Sequence, residues 1–172
     1  ISAGLPIVLV NRRLDSLGCT SITADDEEGA YQCVRHLIQT GKRRVAAITG
    51  LEGISTTEQR LQGYRRALAE TGVSDCSPEC ELCGDATVEG GYRATYELAS
   101  SANPPDGYFA FNNLMTQGAV MALADLGLER PKQVDADVHR VGHQHLRHRR
   151  PGGVGKAHVT RLQAGRGPGQ HH

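Results

Sequence analysis

The sequence holds no tryptophan and only two phenylalanines in 172 residues. A core of stacked aromatic rings is thereby excluded, and aliphatic side chains must fill it. No apolar run approaches the length that spans a bilayer, which excludes a membrane helix. The start lacks a charged-then-apolar leader pattern. Net charge is absent as well, since 19 Lys+Arg balance 19 Asp+Glu. Five cysteines at irregular spacing cannot all pair, which fits reduced thiols of the cytosol better than a disulfide framework. Neither P-loop nor G-x-G-x-x-G spacing occurs, and no nucleophile–base–orienter set emerges. The chain is expected not to be an enzyme and to need no cofactor.

What is present divides in two. Residues 1–131 carry 11 Lys+Arg against 17 Asp+Glu, whereas residues 132–172 carry 8 against 2 together with seven of the eight histidines. In the first segment short apolar runs alternate with helical patterns. Ile7–Val10 reads as a buried parallel-type strand, with Asn11 at its C-terminal end. Thr20 to Ala24 reads as a second strand. Asp25 or Asp26 caps a helix whose Ala30, Val34, Leu37 and Ile38 share one face, and Gly41 stops it.

Val45 to Thr49 lacks alternation, as a strand buried on both faces should. Ser55 and Glu58 have capping-box spacing, which predicts a helix over about 57–71 closed by Gly72. A strand over 80–83 and a helix over 88–100 follow, the latter weakened by Gly90-Gly91. A strand over 108–111 then leads to a helix over 114–126 closed by Gly127. This rhythm predicts an α/β fold, a Rossmann-like parallel sheet flanked by helices. Ligand sites in such sheets lie at the C-terminal strand ends.

Four stretches in one register sharpen this: SITADDEEGAYQCVRHLIQTGKRRVAAITG, TTEQRLQGYRRALAETGV, GDATVEGGYRATYEL and FNNLMTQGAVMALADLGLERP. They resemble the effector-sensing domain of the lactose/galactose-repressor (LacI/GalR) family of bacterial transcription regulators, from Pro6 to about Gly142. The resemblance implies a type I periplasmic-binding-protein-like domain of two Rossmann-like subdomains, with an effector held between them. It divides this chain into residues 1–18, the last strand of the N-terminal subdomain and its crossover; residues 19–142, the C-terminal effector-binding subdomain, incomplete; and residues 143–172, a disordered tail outside the family pattern.

The resemblance also implies effector contacts at Arg60 in RLQGY, Asn112 in NNLM, Asn11 after PIVLV, and Thr56. Asn112 would in addition cap its helix. In the intact parent it implies a small-molecule effector of the sugar class, a homodimer in the cytoplasm, and operator DNA bound only through an N-terminal head outside this sequence. The chain departs from the pattern at Asn113, where the family often has aspartate, and at Ala86, often aromatic. His143-Gln144-His145 stand where a loop bearing a closing aspartate is expected. The Arg-, Gly-, Pro- and His-rich composition after Gly142 is what GC-rich DNA read out of frame encodes.

Two other function classes fit less. A periplasmic-type sugar-binding protein of a transport system would share the fold and need a signal peptide upstream. A metal enzyme would use Cys76, Cys80 and Cys83, whose C-x3-C-x2-C spacing matches an iron–sulfur motif, or the imidazoles of His143, His145 and His148. The predicted strand sends Cys80 and Cys83 to opposite faces, so buried or half-buried thiols are expected and no metal site.

Overall fold

The computed structural model describes residues 7–13, 20–73, 78–128 and 158–160. In chain order the elements are β1 (Val8–Val10), β2 (Thr20–Thr23), α1 (Asp26–Gln39), β3 (Val45–Thr49), α2 (Ser55–Thr71), β4 (Glu81–Cys83), α3 (Val88–Ala99), β5 (Gly107–Ala110), α4 (Asn113–Asp125) and β6 (His158–Thr160). They fall into two compact units, Ile1–Asp25 with Val154–His172 and Asp26–Gly153.

The larger unit is the expected parallel α/β sheet. Its strand order is β4-β3-β5, and β3 runs parallel to both neighbours. Val45, Ala46, Ala47 and Ile48 are all fully buried, as their unalternating pattern requires of a central strand. Val34 and Leu37 of α1, Tyr64 and Ala67 of α2, Ala94 and Leu98 of α3, and Met115 and Leu123 of α4 join them in one core. The helices pack in pairs, α1 on α2 and α3 on α4.

Glycine makes both pairings close. A Cβ on Gly63 would lie 2.1 Å from the Glu27 carbonyl oxygen, and one on Gly118 would lie 2.0 Å from that of Val88. Gly90-Gly91, which lower the helix propensity of α3, are explained the same way. A Cβ on Gly91 would meet the Met115 oxygen at 2.5 Å. The Thr87 side chain accepts from Gly90 N at 2.9 Å and restores an N-terminal cap to that turn. Gly41, Gly72 and Gly127 all sit at positive φ just beyond a helix, as the sequence predicts.

Several expectations need correction. The Ser55–Glu58 capping box does not form. Ile54 occupies the N-cap without a side-chain cap bond, and Ser55 is already helical. The helix therefore starts two residues before the expected 57. Residues 80–83 split into a single turn, Pro78–Cys80, and the shorter β4. β5 slides back by one residue to begin at Gly107.

β1 is parallel to β2 as expected, yet Val8 and Val10 are 55% and 65% exposed rather than buried. An apolar strand is covered only if a second layer packs on it, and the described residues of its unit are strands alone. In that unit β2, read from sequence as part of the 19–142 segment, hydrogen-bonds to β1, and β6 adds to it antiparallel. β6 is the one described part of the 143–172 tail. The tail histidines 143, 145 and 148 and Cys76 lie outside the described residues.

Tyr108 carries a stability prediction. Its hydroxyl is buried in β5 without a hydrogen-bond partner among the described residues. Burial, then the nearby Cys80 and Asp106, push its phenol above the ordinary tyrosine range. A folded-state pKa raised above the unfolded value of about 10 stabilises fully below that pH and less as pH climbs past it. Tyr108→Phe is expected to hold or raise stability at neutral pH, by up to about 1 kcal/mol, because an unmet polar group is removed. Urea midpoints should fall between about pH 9 and pH 11 more steeply for the parent than for the variant.

Candidate functional site

The C-terminal ends of β3, β4 and β5 share one sheet edge, and the loops leaving them enter the N-termini of α2, α3 and α4. Helix N-termini present unpaired N–H groups and positive partial charge there. The backbone is also strained at this edge. Asp85 and Ala86, just after β4, have φ of +52° and +58°. Left-handed non-glycine residues concentrate where a fold handles ligands. Hydrogen bonds from Arg93 and then Cys83 hold the Asp85 carboxyl below the usual carboxylate range.

Arg60 lies in the second turn of α2, with its side chain 31% exposed. Its Nε and Nη2 both donate to Oδ1 of Asp26, at 2.8 and 2.6 Å. Nη1 donates to the Phe111 carbonyl oxygen at the end of β5. The guanidinium is thus clamped between the first turn of α1 and the β5–α4 junction, with two of its five N–H groups left over among the described residues. The RLQGY motif becomes legible as a unit. Arg60 reaches the sheet edge, Gly63 lets α1 approach, and the buried Tyr64 hydroxyl donates to Val45 O at 2.8 Å.

Asn112 adjoins Phe111, so the structure brings two predicted residues to one spot. Its Oδ1 accepts from Met115 N at 2.8 Å, the expected cap of α4, and its Nδ2 lies 3.5 Å from Ala86 O. Thr56 stands one turn before Arg60 on the same face of α2, half-buried. Its neighbour Thr57 packs so closely on Gly50 that a Cβ there would lie 2.5 Å from Thr57 Oγ1.

Asn11 belongs to the other unit, exposed after β1 at φ +56°, with its N–H donating to Ile22 O at 2.8 Å. Sequence reasoning misses Asp26 as a site residue, because two adjacent aspartates before a helix read as caps. The available signal was Arg60 itself, since a half-buried arginine needs a carboxylate.

Cys80 is buried and Cys83 exposed. Among the described residues no three His, Cys, Asp or Glu side chains are placed to share a metal ion, and no helix is long and apolar enough to cross a membrane.

Over residues 2–167 the sequence matches the family described as periplasmic binding proteins and sugar binding domain of the LacI family. The chain belongs to that family. Within it, the LacI-type chain is 33% identical over 130 residues to a Bacillus subtilis protein named Probable HTH-type transcriptional repressor ExuR, covering 76% of this chain and 39% of the relative. It is 34% identical over 128 residues to the Escherichia coli HTH-type transcriptional regulator GalR, covering 74% of this chain and 37% of the relative. A solved structure of the transcriptional regulator CelR with cellobiose superposes with a TM-score of 0.69 at 34% identity, over 77% of this chain and 41% of that one. The LacI-type chain therefore spans less than half the length of these relatives. The relatives are transcriptional regulators, and the region they share with this chain lies in the sugar-binding domain.

Proposed function

We propose that this chain forms one wall of the effector cleft of a LacI-type transcription regulator, with a sugar as effector. The observation that carries the reading is the clamped Arg60. Its guanidinium is fixed at the C-terminal sheet edge beside Asn112, with N–H groups still to offer a hydroxyl. A donor fixed before binding loses little entropy on binding. Asn112, Thr56 and Asn11 are the further proposed contacts.

In the parent regulator the effector would favour one relative orientation of the subdomains and so change operator affinity. Operator DNA is engaged by a helix-turn-helix head, not by the sugar-binding domain. The assembly is a cytoplasmic homodimer and binds rather than catalyses. A periplasmic transport role is the second reading, since the family's description covers both. The coding DNA upstream separates them, by a signal peptide or a helix-turn-helix.

One wall binds weakly. Titrating the chain with galactose, ribose and cellobiose while recording ¹H–¹⁵N spectra should shift signals of Thr56, Arg60 and Asn112 at millimolar sugar. Micromolar binding by calorimetry would contradict the one-wall reading. Shifts confined to residues away from that sheet edge would contradict the site.

A further inference from the structure

We propose that Asp26 positions Arg60 and cancels its charge, so that the site selects neutral polyhydroxylated effectors over their carboxylate counterparts. This rests on the placement of Arg60 at the ligand wall. An arginine in a binding wall reads at first sight as an anion receptor, because its fork matches a carboxylate. Here that fork is already engaged. Asp26 Oδ1 takes Nε and Nη2, and the carboxylate's own side chain is only 7% exposed. The Phe111 oxygen takes Nη1.

The two N–H groups left over sit on different nitrogens, Nη1 and Nη2, in a pair whose net charge is zero. Such groups donate well to hydroxyls and ring oxygens, which lose little on leaving water. A carboxylate loses much more on leaving water, and a pair of zero net charge offers it no attraction in return. Asp26 Oδ2 is buried with no donor among the described residues, so among them Arg60 is what balances this carboxylate.

The neighbouring groups reinforce the sign. Asp85 stands on the loop after β4 at the same sheet edge, held below the usual carboxylate range and paired with Arg93. Asn112, in the spot next to Phe111, is neutral. A wall of compensated charges and amides suits a sugar and not a sugar acid.

The test uses the 172-residue chain with two matched pairs, galactose with galacturonate and glucose with glucuronate. The readout is the Arg60 Nε–H resonance. Each neutral sugar is expected to shift it at about tenfold lower concentration than its acid. In Asp26→Asn, which keeps the size and one acceptor, the order should reverse in favour of the acids, and the Nε–H line should broaden as the clamp loosens. A merely structural aspartate would weaken all four ligands together and leave their ratio unchanged.

Equal or tighter binding of the acids by the parent chain overturns the inference while leaving Arg60 in the wall. An Arg60 signal indifferent to all four ligands overturns the placement of Arg60 and the inference with it. Should Asp26→Asn not fold, the neutral-to-acid ratio in the parent chain still decides.

Discussion

Gly63→Val is expected to unfold the larger unit. Any β-carbon at position 63 would sit 2.1 Å from Glu27 O and 2.9 Å from both Ala30 Cβ and Tyr31 N. Two of these three atoms are backbone of α1, so no rotamer change relieves the clash, and α1 must move off α2. Overpacking of this kind typically costs about 1–3 kcal/mol even where side chains can yield. Against backbone, a β-branched residue should cost more than about 3 kcal/mol, a large share of a small domain's stability.

Withdrawal of α1 would also carry Asp26 away from Arg60, so folding and site fail together. Gly29 is the internal control. It lies on α1, and a β-carbon added there would have nothing within 4 Å. Gly29→Ala should therefore stabilise by about 0.5–1 kcal/mol through helix propensity alone. Urea denaturation followed by circular dichroism reads both. A Gly63→Ala variant as stable as Gly29→Ala would show that the two helices are not in close contact.

Arg60→Ala is the second large effect. It strips Asp26, whose side chain is only 7% exposed, of both donors to Oδ1, and leaves the Phe111 oxygen without Nη1. Removing one member of a fully buried pair costs about 3–5 kcal/mol. Arg60 is 31% exposed, so water reaches the pair and a loss of about 2 kcal/mol is expected. Arg60→Lys should recover part of the stability, because an ammonium neutralises Asp26, but not the bond to Phe111 O, because it lacks the planar fork. Sugar-induced shifts at Asn112 should vanish in both variants. Full stability in Arg60→Ala would mean that the clamp contributes nothing in solution.

Much of this was legible in the sequence because local and tertiary preferences agree. Val45–Ile48 can only be a central strand, and Gly41, Gly72 and Gly127 mark helix ends through the left-handed backbone they adopt. Asn112 could be placed both as a cap and at the sheet edge, since one strand–helix junction sets both roles.

The misreadings have equally local causes. Ser55 and Glu58 have the right spacing for a capping box, but Ile54 takes the N-cap position and Ser55 is already helical, which moves Ser55 out of the cap. Ile7–Val10 has the composition of a buried strand, and composition does not say which layer covers it. Gly90-Gly91 look like a helix weakness until the facing helix is known, because the reason for Gly91 is the Met115 backbone, far away in sequence. Asp26 was hidden the same way. Its partner is 34 residues distant, and an aspartate before a helix already has a sufficient local explanation.

The most direct test of the central claim is an intermolecular Overhauser measurement between galactose ring protons and the chain. Cross-peaks are expected to the Arg60 δ-methylene and the Asn112 side-chain amide, both lost in Arg60→Ala. Sugar contacts instead on the solvent face of α1 or α3, with Arg60 and Asn112 silent, would contradict it.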